Sequence, residues 1–201
     1  MRRLTFVLII LCSLLVAAGC GKYGERYNAS SDEAPVNGEE PRITDADFDD
    51  DKVRLADGCT KLVSKKSEGR SHTTSLDEKV DYKNNPPISG NHYQIPGDWG
   101  LYATQSLKDV QTTHSLEHGH IIITHKGLTQ EQSDDLYDQA RVNPFHLLVM
   151  PRKQNPKTGV YYTAWTKMIH CKQPSKAALQ YMIDNWRDQG PELFMEDQQK
   201  K

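Results

Sequence analysis

The stretch IIITHKGLTQEQSDDLYDQARVNPFHLLVM, residues 121–150, decides the fold. Ile121, Ile122 and Ile123 make a β-branched apolar run that suits the centre of a buried strand. Thr129 with Gln132 offers a capping box, which opens a helix reaching about Val142. Residues 145–150 turn apolar again and read as the next strand, stopped by Pro151. A further strand over residues 160–167 follows a turn containing Asn155-Pro156 and Gly159.

Downstream, Ser175 is a plausible N-cap, and Leu179, Met182, Ile183 and Trp186 recur at helical spacing to form one apolar stripe, ended by Gly190-Pro191. The order strand, helix, strand, strand, helix argues for an α+β or α/β domain, one small sheet with two packed helices. Upstream, Lys79-Val80-Asp81-Tyr82 alternates like a short strand. Residues 83–100 follow, a long loop dominated by Asn, Pro and Gly; such a loop inside a compact domain usually serves a function.

The first residues set the expected compartment. Arg2 and Arg3 precede an apolar run over residues 4–16, too short to span a bilayer, and Ala17-Ala18-Gly19 then leads into Cys20. This resembles a bacterial lipoprotein signal. Residues 1–19 are expected to be removed and Cys20 lipidated, so that a cell membrane or outer membrane holds the protein facing the extracytoplasmic space. Removal takes two Arg from 25 basic side chains and none from 27 acidic ones, leaving 23 and 27, a net charge of −4. That balance gives nucleic-acid binding no support.

Residues 20–51, rich in Gly, Ser, Asn, Pro, Asp and Glu, read as a disordered acidic tether. The folded domain is expected over residues 52–192, with a polar tail over residues 193–201. The tether's end, Asp45-Ala46-Asp47-Phe48-Asp49-Asp50-Asp51, places acids like a calcium loop, but Asp50 stands where that loop needs Gly, and Ala56 where it needs Glu. Cys12 leaves with the signal and Cys20 is acylated, so Cys59 and Cys171 remain as an even pair in an oxidising compartment. A disulfide is the expectation; free thiols, or Cys171 beside His170 as soft metal ligands, are the alternatives.

Five of the eight histidines lie between His92 and His125. In His114-Ser115-Leu116-Glu117-His118 two imidazoles four residues apart share a helical face, with Glu117 beside them. The spelling also matches one zinc-protease class. Gly119 and the strand that follows leave room for one helical turn at most, so the motif reads as a turn feeding a strand. In Asn85-Pro86-Pro87-Ile88-Ser89-Gly90-Asn91-His92-Tyr93 the prolines stiffen the chain and Gly90 permits an unusual backbone angle, so His92 is held on a fixed loop. His120 and His125 fall on opposite faces of the following strand. No Walker loop, nucleophile elbow or dinucleotide fingerprint is present, so no nucleotide cofactor is expected.

The segments Pro86-Pro87-x-Ser89-Gly90-x-His92-Tyr93, Gly100-x-Tyr102, His114-x-Leu116-Glu117-His118-Gly119, Ala164-Trp165 and Gly190-Pro191-Glu192 together resemble domain-of-unknown-function family 3105. The resemblance implies a single exported or membrane-attached domain, with no established reaction. It also implies a histidine upstream of the Pro-Pro segment, which His72 matches, and cysteines near Cys59 and Cys171. The candidate metal ligands are therefore His72, His92, His114 and His118, for one zinc or copper ion, with Glu117 as fifth ligand, orienter or base. Two other readings stand beside a metal-binding domain. One is a metal-assisted hydrolase using Glu117 as general base, and the other is a cell-envelope module that contacts an envelope protein or small molecule.

Overall fold

The computed structural model describes residues 42–49 and 51–192. Among these residues five helices and eight strands form an α+β domain. In chain order these are α1 (Asp45–Asp49), α2 (Asp51–Ala56), β1 (Val63–Ser64), β2 (His72–Thr73), β3 (His92–Tyr93), β4 (Gly100–Leu101), α3 (Asp109–Glu117), β5 (Ile121–Lys126), α4 (Gln130–Val142), β6 (Leu147–Pro151), β7 (Gly159–Ala164), β8 (Lys167–Cys171) and α5 (Lys176–Trp186). Six strands make one mixed sheet in the order β1-β8-β7-β5-β6-β4, and β2 pairs with β3 in a separate two-stranded sheet. The expected single sheet with two helices was too simple, because the two-residue strands carry too little pattern to be read from sequence.

The opening stretch has the expected strand, helix and strand, except that β6 starts at Leu147 rather than residue 145 and takes in Pro151. β5 and β6 lie parallel, Ile121 beside Leu147 and Ile123 beside Val149, joined by α4. Thr129 accepts from the Gln132 amide at 3.2 Å, while the Gln132 side chain accepts from the Thr129 amide at 3.0 Å. Alternation sorts the two faces of the sheet. Ile121, Ile123, Leu147 and Val149 pack with Leu136 and Ala140 of α4 and with Leu179, Met182 and Ile183 of α5. Ile122, Leu148 and Met150 face the other way, onto Tyr102 and Leu116. Fully burying side chains of this size stabilises by about 1.5–3 kcal/mol each.

Three expectations change. Residues 79–82 form no strand; Tyr82 instead donates its hydroxyl to the Asn91 carbonyl at 2.8 Å. β8 is an additional strand because the chain reverses at Thr166, which adopts φ +65°, so the run read as one strand over 160–167 ends at Ala164. α5 ends at Trp186, before Gly190-Pro191. Arg187 turns extended there, and the Asp188 amide reaches the Gly119 carbonyl at 2.9 Å.

The stretch read as tether is ordered at its end. Phe48 is 1% exposed and stacks on Tyr181 of α5 at 4.6 Å between ring centres. Tyr181 donates to Asp45, and Asn185 donates to the Ile43 carbonyl at 2.8 Å. One aromatic ring among acids provides the burial that composition alone did not suggest. The signal residues, Cys20 and the polar tail lie outside the described residues.

Cys59 and Cys171 form a disulfide that joins residues 112 apart in sequence and lies in the core. The soft-ligand alternative for Cys171 is thereby excluded, and His170 makes its own contact with the Thr158 carbonyl at 2.8 Å.

Candidate metal centre

The cluster is assembled from three stretches of chain. β2 and β3 run parallel with His72 directly opposite His92, tied by the His92 amide to the Ser71 carbonyl at 3.0 Å and the Gln94 amide to the Thr73 carbonyl at 3.0 Å. Gly90, at φ +125°, makes the bend that turns the chain into β3; a Cβ there would also lie 2.9 Å from the Tyr82 ring. α3 supplies the rest. His114 and Glu117, three residues apart, share its buried face, and His118 follows at its C-terminus.

This helix is longer than the sequence implied. The single turn expected at the motif is instead the end of a nine-residue helix that extends upstream of it. Residues 110–115, Val-Gln-Thr-Thr-His-Ser, have no amphipathic period to announce a helix, and tertiary burial of nearly the whole element overrides that weak propensity. Its start is fixed by Arg152, 4% exposed, which grips Asp109 bidentately at 2.8 and 2.7 Å.

His72, His92, His114 and Glu117 each offer a ligand atom, all within 4.8 Å of one another. His92, His114 and Glu117 are buried, whereas the His72 side chain is 44% exposed. His118 lies outside that tight group, with its Nε2 2.9 Å from His114 Nε2. The structure thus draws Glu117 in among the donors and leaves His118 at their margin.

Backbone carbonyls fix how these rings present themselves. His92 Nδ1 lies 2.8 Å from the Gly90 carbonyl, His114 Nδ1 2.7 Å from that of Tyr93, and His118 Nδ1 2.7 Å from that of Glu192. A carbonyl oxygen only accepts, so each Nδ1 carries a proton and each ring turns its Nε2 inward. The interior then gathers ring nitrogens and a carboxylate at close range. Nε2 of His114 meets Nε2 of His118 at 2.9 Å, and Nε2 of His92 stands 2.9 Å from Glu117 Oε2 with neither atom in a hydrogen bond. Added protons are a poor remedy, because burial pushes His114 down to about 4 and lowers His118 as well. A cation among His72, His92, His114 and Glu117 would have a donor atom from each of them within reach. Tetrahedral zinc with nitrogen ligands needs donor separations of about 3.3 Å. The observed 2.9 Å and the 3.7 Å from His72 Nε2 to Glu117 Oε2 bracket that value.

The C-terminal residues brace the helix end. The Glu192 amide donates to the Glu117 carbonyl at 3.1 Å, and a Cβ on Gly190 would lie 2.1 Å from that same carbonyl oxygen. The Gly119 and Gly190-Pro191-Glu192 segments are therefore the two sides of one backbone crossing.

The profile of the family described as protein of unknown function (DUF3105) matches residues 73–199. The chain belongs to the DUF3105 family. No curated protein and no solved structure matches it. The DUF3105 match takes in His92, His114, Glu117 and the bracing segment, and begins one residue after His72. The DUF3105 description states no reaction, so the chemistry rests on the geometry above.

Sequence reasoning missed Arg70, whose Nε lies 3.7 Å from Glu117 Oε1; no motif marks it. It also missed the three carbonyls, since any residue supplies one. Of the two histidines at the ends of β5, His120 lies on the cluster's side of the sheet, ring-stacked on His146 at 4.7 Å, and His146 pairs with Asp188 at 2.6 Å. His125 points to α4, 3.1 Å from the Tyr137 hydroxyl.

Proposed function

We propose that this domain holds one zinc or copper(II) ion through His72, His92, His114 and Glu117, and that it does so outside the cytoplasm, attached to a membrane through lipidated Cys20. The observation that carries the metal reading is the convergence of His72, His92 and His114 on the buried carboxylate of Glu117, which has no hydrogen bond, with the His92 and His114 rings each backed by a carbonyl that turns Nε2 inward. Three nitrogens and one oxygen suit zinc and copper(II) better than the thiol-seeking copper(I). Support for the compartment comes from the Cys59–Cys171 disulfide, a bond that persists in oxidising surroundings. Glu117 acts here as a ligand, because its Oε2 already lies among the donor atoms.

The test is metal analysis of the purified full chain, followed by thermal unfolding after chelation and re-addition of each ion. About one ion per chain is expected, with a melting temperature raised by zinc or copper, and both effects should vanish in His92→Ala and Glu117→Gln. A chain that retains neither ion and melts at the same temperature with and without them overturns the proposal.

A further inference from the structure

The cluster is closed on one side and open on the other. Among the described residues, His92, His114 and Glu117 are buried, whereas the side chains of His72 and Arg70 at the same cluster are 44% and 53% exposed. Among the described residues the one polar partner of Arg70 is Glu117, at an ion-pair distance too long for a hydrogen bond. A guanidinium carries five donors in a planar fork, and among the described residues none of those of Arg70 makes a hydrogen bond.

Charge decides what this edge attracts once an ion is bound. A divalent cation with one carboxylate and three neutral imidazoles has a net charge of +1. Glu117, committed to the ion, then offers less to Arg70, and the two positive centres share one solvent-facing opening. Among the described residues no second carboxylate belongs to the cluster. An external anion is the remaining way to balance them, and zinc and copper(II) both accept a fifth ligand.

We propose that the Arg70–His72 edge binds a small oxyanion, a carboxylate or a phosphate, with one oxygen on the metal and another in the Arg70 fork. This rests on the metal reading above and names the ligand class of that site. Arginine suits the task because its fork matches a two-oxygen group, which the point charge of lysine does not.

The experiment is calorimetric titration of the full chain with acetate and, separately, with inorganic phosphate, in metal-loaded and metal-free forms at constant ionic strength. Saturable binding is expected in the loaded form alone. Arg70→Ala should weaken it about tenfold or more while keeping the metal, and Arg70→Lys should fall between. Tighter acetate binding identifies a carboxylate as the natural ligand, and tighter phosphate binding identifies a phosphate. Metal retained without anion binding, equal binding by the metal-free chain, or unchanged affinity in Arg70→Ala overturns this inference and leaves the metal reading standing. A chain that holds neither zinc nor copper overturns both.

Discussion

Acid should destabilise the metal-free domain in part through buried His125. It is 8% exposed, and burial pushes its pKa from 6.5 down to about 4. The unfolded chain takes up this proton near the ordinary value and the folded chain only near the lower one. Between them the unfolded state therefore binds more protons, and stability falls as pH falls. The contribution is fully present above about pH 6.5, and roughly 2.5 kcal/mol of it is lost by about pH 4.5, still above most carboxylate titration. His125 lies away from the metal cluster, so the effect is separable from metal binding. The assay is urea unfolding of chelated wild type and His125→Gln at several pH values between about 7.5 and 4.5. The absolute stability of the variant does not matter; its pH dependence does. Wild type should lose about 2.5 kcal/mol more than His125→Gln over that range. Parallel curves, differing by less than about 0.5 kcal/mol in their change, would refute the reasoning.

Replacing both Cys59 and Cys171 by Ala opens a loop spanning 112 residues and should cost about 5 kcal/mol in the chain-entropy model, read as a lower urea midpoint. Gly190→Ala drives a Cβ into the Glu117 carbonyl; it should destabilise by roughly 1–3 kcal/mol and weaken metal retention, measured by melting and metal analysis together. Phe48→Ala should release α1 from α5, exposing the amides of residues 43–48 to hydrogen exchange while metal content stays unchanged.

Much of the central architecture was legible in advance, for identifiable reasons. The Ile121-Ile122-Ile123 run is buried on both faces of its sheet, and the Thr129–Gln132 box carries its own geometry, so both read locally. The short strands β1 to β4 owe their pairing to distant partners, and nothing in two residues records that. At the cluster, His92 and His114 stood out by spacing and by the stiff loop before them. The margin position of His118, the place of Glu117 among the donors and the contribution of Arg70 depend on how β2 and β3 lie against α3, a tertiary relation with no sequence period. Phe48 was hidden by its acidic neighbours: composition averages over a stretch, whereas a single ring needs a single pocket.

The crossing of residues 190–192 over the end of α3 sets a biosynthetic order. The imidazole of His118 is oriented by a carbonyl 74 residues further along the chain, and the carbonyl of Glu117 is held by the amide of the same late residue. A nascent chain carrying every histidine of the cluster still lacks the brace that settles its last turn. The last turn of α3 therefore gains its full set of contacts only once synthesis has passed Glu192.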